Sequence, residues 1–211
     1  MAHTVVKICG ITRLEDASLA LSAGADWLGF ILKGDSPRLV TAANARRVLA
    51  DLGGTAVTVA VMVEPTPEEA LLLATAAGAA RVQLHGVDPA RWPADFPLPA
   101  AFAVPVAEDG ALQALLPPRR DLVLLDTASA LRAGGTGRTF PWFVAATVAA
   151  DFDVMVAGGL DADNVRGMLE EVGPFGVDAS SRLESLPGIK DAGKVSRFVA
   201  AVRSYDEAGR G

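Results

Sequence analysis

Eight short runs rich in β-branched residues alternate with Ala- and Leu-rich amphipathic runs along the whole chain. The predicted strands are Thr4–Ile8, Asp26–Ile31, Thr55–Val63, Ala80–Leu84, Ala100–Val106, Asp121–Asp126, Asp153–Ala157 and Phe175–Ala179. The predicted helices are Leu14–Ala23, Thr41–Leu52, Pro67–Ala77, Asp88–Asp95, Gly110–Leu116, Phe140–Ala149, Asp163–Glu171 and Ala192–Arg203. Strands separated by helices form βαβ units and a parallel sheet. Eight such units in 211 residues predict one compact (β/α)8 barrel, the TIM-barrel fold.

An open, doubly wound sheet is the alternative architecture for this alternation. Such sheets more often have five or six strands and a glycine-rich first turn. Here the first turn runs from Cys9 to Arg13 and lacks the glycine pattern of a dinucleotide site. No linker interrupts the alternation, although the stretch from Thr127 to Thr139 is long and irregular. We therefore expect residues 1–211 to form a single barrel domain, with residues 204–211 as a frayed tail.

The composition excludes several classes of function. The net charge of −6 argues against nucleic acid as a partner, because a phosphate backbone needs a basic face. One cysteine and two histidines exclude an internal disulfide and argue against a metal cluster. No signal peptide is visible, and no apolar stretch approaches the ~18 residues of a membrane span. We expect a cytoplasmic protein with neither membrane nor nucleic acid as a partner.

The carboxyl ends of the strands are where an active site is expected in such a barrel. Reactive residue types collect at five of these ends, which contain Cys9-Gly10, His85-Gly86, Asp126-Thr127, Gly158-Gly159 and Ser180-Ser181. The side-chain period of two predicts that Lys7 and Cys9 point into the barrel, as do Gln83 and His85. The neighbours of Lys7 and Cys9, Val6 and Ile8, then face the helices.

Each of these residues has a functional and a structural interpretation. The amine of Lys7 would favour the thiolate of Cys9 and make it a base, but a lone cysteine is most often a small buried apolar residue. Asp126 ends an apolar strand, so desolvation should raise its pKa and suit it to a general acid, although it could also order a loop. His85 is more typical of a hydrogen-bonded structural histidine.

The last two strand ends predict a phosphate site. Gly158 and Gly159 allow backbone N–H groups to approach an oxyanion, and Ser180 and Ser181 follow the next strand. The loops after strands seven and eight are where these barrels often bind phosphate. A Gly-Gly pair alone is weak support, since it also suits a tight turn.

The sequence resembles the phosphoribosylanthranilate isomerases of tryptophan biosynthesis in a series of motifs that run in order from Lys7 to Asp191. The motifs are Lys7-Ile8-Cys9-Gly10-Ile11-Thr12-Arg13, Ser36-Pro37-Arg38, Gln83-Leu84-His85-Gly86, Gly134-Gly135-Thr136-Gly137, Ala157-Gly158-Gly159-Leu160, Gly176-Val177-Asp178, Ser180-Ser181, Glu184-Ser185 and Lys190-Asp191. Each fragment alone is weak, but the combination is specific.

The resemblance implies an Amadori rearrangement of N-(5-phosphoribosyl)anthranilate, a phosphorylated small molecule. In that family the residue matched by Asp126 is the general acid, and the residue matched by Cys9 is the general base. Arg38 matches the position that binds the anthranilate carboxylate, while His85 and Asp178 match positions near the substrate. The reaction needs no cofactor and no metal. We expect a monomer or a homodimer.

Arg182 is the clearest departure from the family, because a glycine is expected between Ser181 and Leu183. We expect its guanidinium to reach the substrate phosphate, with a solvent-facing side chain as the alternative; a positive φ there would strain an arginine. The loop from Lys33 to Asp35 also differs from the family.

Three other functions remain as alternatives. Indole-3-glycerol-phosphate synthase relies on lysines at strand ends, and Lys7 is the only clear one here. A dual-substrate sugar isomerase would carry an aspartate in place of Cys9. A non-catalytic barrel that only binds a phosphorylated ligand would not require the pair of Cys9 and Asp126.

Overall fold

Eight parallel strands close into a barrel in sequence order, and the eighth pairs with the first. The computed structural model describes residues 3–53, 56–117, 121–128 and 139–209. The barrel strands are β1 (Val5–Cys9), β2 (Trp27–Lys33), β3 (Val57–Val63), β4 (Arg81–His85), β5 (Ala100–Val106), β6 (Leu122–Thr127), β7 (Val154–Val156) and β8 (Gly176–Ala179). A short antiparallel pair follows them, β9 (Glu184–Leu186) and β10 (Ile189–Lys190). The predicted (β/α)8 barrel is therefore confirmed.

Six α-helices surround the barrel in the described ranges. They are α1 (Leu14–Ala23), α2 (Ala42–Asp51), α3 (Pro67–Ala77), α4 (Trp142–Ala149), α5 (Val165–Val172) and α6 (Ala192–Ala208). None of the helices in these parts of the chain is long and apolar enough to span a membrane. The Gly-Gly-Thr-Gly motif and most of the predicted irregular stretch fall on residues 129–138, which lie outside the described residues.

Two predicted helices are wrong. The segment Asp88–Asp95 contains a single 3-10 turn, Pro89–Arg91. Pro93 cannot supply the N–H that a longer helix would need. The segment Gly110–Leu116 begins at a glycine with φ of 88° and runs back along the end of β5. There Leu112 forms an antiparallel bridge with Val106, so the extended backbone replaces the helix.

The alternation of side chains along each strand separates the barrel interior from the helix layer. Val6 and Ile8 pack in the core between strands and helices, whereas Cys9 belongs to the cluster inside the barrel. Lys7 is buried on the same side as Cys9, as predicted. At the amino-terminal end of the barrel, Trp27 contacts the ring of Phe175.

The C-terminal helix is tied to the start of the chain by buried polar groups. The carboxylate of Asp206 accepts hydrogen bonds from the Thr4 backbone N–H at 3.2 Å and the Thr4 hydroxyl at 2.6 Å. Arg203 donates to Asp206 and also to Asp26 at 2.7 Å. The expected frayed tail is therefore wrong as far as Ala208, where α6 ends.

Replacing Asp206 by alanine should destabilise the protein by about 3 kcal/mol, because it leaves buried donors of Thr4 and Arg203 without their acceptor. Urea unfolding measures this loss. The neighbouring exposed residue provides the matched control, and Glu207→Ala should change stability by less than ~0.5 kcal/mol. Equal effects of the two substitutions would contradict the structural role of Asp206.

Candidate active site

A cavity of about 330 Å³ opens at the carboxyl ends of the barrel strands. All ten residues predicted for the site line it: Cys9, Arg38, His85, Asp126, Gly158, Gly159, Asp178, Ser180, Ser181 and Arg182. They come from loops and strand ends spread over most of the chain, and the closure of the barrel brings them together. Gln83, predicted to face inward, also lines the cavity.

Cys9 lies at the end of β1, next to a buried ion pair. The Lys7 Nζ is 2.7 Å from the Asp178 Oδ2, and both side chains are almost completely buried. A Cβ on Gly29 of β2 would lie 2.8 Å from the Cys9 Sγ and 3.1 Å from the Lys7 Nζ. A glycine at this position therefore makes room for the thiol and the amine side by side.

The thiol of Cys9 is not a ready thiolate in this structure. Burial raises its pKa above the ordinary value, and the charge of Lys7 only partly opposes this effect. Burial also acts to lower the pKa of Lys7, but the charges of Asp178 and Cys9 raise it overall, so the amine keeps its proton. Lys7 favours the thiolate of Cys9, as predicted, but desolvation is the larger effect and the pKa rises overall.

Asp126, near the end of β6, holds a proton more strongly than an ordinary aspartate. Desolvation by the surrounding protein raises its pKa from 3.8 to about 7, and the nearby charge of Asp178 acts in the same direction. The carboxyl is partly exposed to the cavity. The predicted rise in the pKa of Asp126 agrees with the structure, which places this carboxyl next to the space for a ligand.

Gly158 is required by the packing around Asp126. Its φ is 86°, and a Cβ there would collide with the Thr127 hydroxyl and lie 2.6 Å from the Thr127 nitrogen and 3.0 Å from the Asp126 Oδ1. Gly159 follows with a φ of 73°. The two glycines therefore let the loop after β7 lie directly against the end of β6.

Arg38 is held by a carboxylate that the sequence analysis did not single out. Its Nε and Nη2 donate to the two oxygens of Glu184, each at 2.7 Å. The Lys190 Nζ reaches the same carboxylate at 2.9 Å. Glu184 and Lys190 are in motifs that resemble the family, but only the fold shows which side chains they contact.

His85 is buried and neutral. Burial lowers its pKa to about 4, and the charge of Lys7 adds to this effect. The amide nitrogen of Gln83 lies 2.9 Å from the His85 Nε2, where an amide donor requires the ring nitrogen to accept. The structural interpretation of His85 therefore agrees with its hydrogen bond, while the ring also lines the cavity.

The two loops predicted to bind phosphate are joined by an ion pair. Arg182, in the turn after β8, contacts the Asp161 Oδ2 at 3.1 Å, and Asp161 belongs to the loop after β7. Arg182 still lines the cavity and is partly exposed. Since Glu64 is the only non-glycine residue with a positive φ in the described ranges, Arg182 does not carry the backbone strain considered above.

Ser180 and Ser181, which follow β8, have different structural positions. The Ser180 hydroxyl donates to the carbonyl of Cys9 at 3.0 Å and so connects the ends of β8 and β1. Ser181 begins the 3-10 turn Ser181–Leu183. Both residues line the cavity.

A parallel eight-stranded barrel with these side chains around a cavity at its carboxyl end defines a (β/α)8-barrel enzyme. The model of the family described as "N-(5'phosphoribosyl)anthranilate (PRA) isomerase" matches residues 6–201. The chain belongs to this family.

Relatives and solved structures agree with this assignment. The N-(5'-phosphoribosyl)anthranilate isomerases of Pelobacter propionicus and Rubrobacter xylanophilus are 41% and 40% identical, over 92% and 94% of this chain and 93% and 98% of their own. The Thermotoga maritima enzyme superposes with a TM-score of 0.81 at 32% identity, covering 95% of this chain and 99% of that one. Another solved isomerase, in complex with reduced 1-(o-carboxyphenylamino)-1-deoxyribulose 5-phosphate, gives a TM-score of 0.77. The predicted isomerase of tryptophan biosynthesis is confirmed, while the roles of individual residues stay predictions.

The pKa of Asp126 predicts a specific pH dependence of stability. The unfolded carboxyl releases its proton near its ordinary pKa, whereas the folded one keeps it up to about pH 7. In that window the folded state binds more protons, so its stability falls as the pH rises. Asp126→Asn removes this titration and should gain ~2–4 kcal/mol relative to the wild type between about pH 4.5 and about pH 7.5. Urea unfolding at both pH values measures the gain, and a constant difference would contradict the raised pKa.

Gly158→Ala should abolish most of the activity, because the new methyl group displaces Asp126 and Thr127. Gly173→Ala is the matched control, since Gly173 also has a positive φ, of 57°, but nothing lies within 4 Å of its Cβ position. Both substitutions should cost about 1 kcal/mol of stability from backbone strain. Only Gly158→Ala should reduce turnover, and an equal loss in both variants would exclude a specific effect on the site.

Proposed function

We propose that this protein converts N-(5-phosphoribosyl)anthranilate into 1-(2-carboxyphenylamino)-1-deoxyribulose 5-phosphate, with Asp126 as the general acid and Cys9 as the general base. The observation that supports this mechanism is that two groups line one cavity. They are Asp126, a carboxyl whose pKa is raised to about 7, and Cys9, a thiol next to Lys7. An Amadori rearrangement needs one group that gives a proton and one that takes a proton.

In the first step Asp126 donates its proton to the ring oxygen of the ribose. The bond between this oxygen and C1′ breaks, its electron pair stays on the oxygen, and the lone pair of the anthranilate nitrogen forms a protonated Schiff base. A pKa near 7 suits this transfer, because the carboxyl is still protonated near neutral pH and yet releases its proton readily.

In the second step Cys9 acts in its thiolate form: the thiol first releases its proton to solvent at the open end of the cavity, and the thiolate then removes the proton from C2′. The electron pair of that C–H bond forms the C1′–C2′ double bond and neutralises the iminium nitrogen, which gives an enolamine. Protonation at C1′ and loss of the hydroxyl proton at C2′ then give the ketone. Lys7 next to the thiol stabilises the thiolate, which burial otherwise disfavours. Because the sequence of steps involves no net oxidation, it requires no redox cofactor.

The remaining residues bind and orient the substrate in this proposal. Arg38 pairs with the anthranilate carboxylate, and the loops with Gly158, Gly159, Ser180 and Ser181 accept the phosphate, with Arg182 at their edge. The Oδ1 of Asp178 is buried and has no hydrogen-bond partner among the residues that the structure describes, so it is available to accept a hydrogen bond from a ribose hydroxyl. His85, held by Gln83, contributes to the wall of the substrate site.

The setting of the reaction also remains a proposal. We propose a cytoplasmic location and a state of monomer or homodimer. A solved structure of the Thermotoga maritima relative describes monomers generated from a dimeric enzyme, which makes both states reasonable for this fold.

Replacing Cys9 or Asp126 by alanine should lower turnover at least ~10²-fold, the usual contribution of a general base or acid. A coupled assay that follows the fluorescence of phosphoribosylanthranilate, made in situ from anthranilate, measures this loss. Asp121→Asn is the control, because Asp121 precedes the opposite end of the same strand and should leave turnover unchanged. If the wild-type protein shows no turnover, the alternative function, a non-catalytic barrel that binds a phosphorylated ligand, is favoured. If Cys9→Ala turns over nearly as fast as the wild type, Cys9 is not the general base.

A further inference from the structure

Glu184 occupies a distinctive position at the edge of the cavity. It is the first residue of β9, and only 4% of its side chain is exposed. Both of its oxygens are used by one guanidinium, since the Nε and the Nη2 of Arg38 each donate at 2.7 Å. Such a paired contact fixes both the position and the plane of an arginine.

Glu184 is itself held in place. The fully buried Lys190 Nζ donates to the Glu184 Oε1 at 2.9 Å and lies 3.3 Å from the Ser180 carbonyl oxygen. The Lys194 Nζ donates to the backbone carbonyl of Glu184 at 2.7 Å. The carboxylate of Glu184 is therefore held by β10, and its backbone is held by α6.

The stem of Arg38 is also fixed beside the reactive end of β1. A Cβ on Gly10 would lie 2.5 Å from the Arg38 Cδ, so the stem lies flat on this glycine, next to Cys9. The Nε edge of Arg38 is turned to Glu184, whereas its Nη1 has no hydrogen bond within the described part of the chain, and Arg38 lines the cavity. Two cations, Arg38 and Lys190, share one carboxylate, so the cluster keeps a positive charge.

We infer that Glu184 is a positioning residue that presents the Nη1 edge of Arg38 to the carboxylate of the substrate. Lys190 compensates the charge of Glu184, which would otherwise repel the carboxylate of the substrate. This inference rests on the proposed function, because it takes Arg38 as the group that binds the anthranilate carboxylate. It differs from a purely structural role, in which Glu184 would only brace the hairpin of β9 and β10.

Two ligands separate these roles in a binding experiment that does not depend on turnover. The first is reduced 1-(o-carboxyphenylamino)-1-deoxyribulose 5-phosphate, and the second is the same molecule without the carboxylate. Calorimetry should show that Glu184→Gln lowers the affinity for the first ligand about tenfold, since a hydrogen bond between charged groups is lost. The second ligand should bind almost equally to both proteins. The inference would be overturned if the affinity fell equally for the two ligands, or if it fell for neither of them.

The variants are chosen to separate a loss of positioning from a loss of folding. Glu184→Asp keeps a charge for Lys190 but is too short to reach Arg38 with both oxygens, so it should show an intermediate loss. Glu170→Gln is the control, because it removes the carboxylate from an exposed pair with Arg166 on α5 and should change nothing.

Steady-state kinetics and a double variant complete the test. Glu184→Gln should raise KM about tenfold with little change in kcat, and this effect should disappear when Arg38 is already replaced by methionine. An unchanged KM with a lower kcat, or the same rise in both backgrounds, would show that Glu184 does not act through Arg38. A wild-type protein that binds the first ligand but shows no turnover would contradict the proposed function alone.

Discussion

The buried pair of Lys7 and Asp178 is the interaction on which the site depends. The register of β1 against β8 places the two residues side by side, at the seam where the barrel closes. Their distance of 2.7 Å and almost complete burial mean that each charge needs the other, because an unpaired charge inside a barrel is strongly destabilising. The same contact that compensates two buried charges thus joins β1 and β8, the first and the last strand of the barrel.

This pair also affects both reactive groups. The charge of Lys7 lowers the pKa of Cys9 against the effect of burial, and the charge of Asp178 helps to raise the pKa of Asp126. Lys7 also lowers the pKa of Asp126, and Asp178 also raises the pKa of Cys9, so each half of the ion pair shifts both groups. Removing either half would change the proton affinity of the acid, the base or both, and would also expose the other half to an uncompensated environment.

The parts of the structure that follow from local periodicity could be predicted from the sequence. The strands, the inward direction of Lys7 and Cys9 and the position of the site all follow from alternation and from the rule that such barrels react at strand ends. The helix predicted around Gly110 was wrong because the amphipathic pattern was outweighed by a glycine turn and a bridge back to β5. The effect of Lys7 on Cys9 could be predicted from the sequence, but the net rise in the pKa of Cys9 could not, because it comes from burial in the fold.

Long-range contacts could not be predicted in this way. Glu184 contacts Arg38 across 146 positions of the chain, and Asp206 contacts Thr4 across 202. No local pattern around Ser204 shows that α6 continues, because the reason lies at the other end of the sequence. Arg182 is predicted to reach the phosphate, but the sequence does not show its contact with Asp161, which comes from the adjacent loop.

The closure of β8 on β1 also determines when the site can be assembled during synthesis. Lys7 leaves the ribosome before its partner Asp178, which is made 171 positions later. Until then, the strands from β1 onward can form only an open sheet with two free edges, and a lysine on its inner face stays in water. The emergence of β8 therefore completes the barrel, the ion pair and the cavity in one event, and a nascent chain stalled before β8 would expose both edges to aggregation.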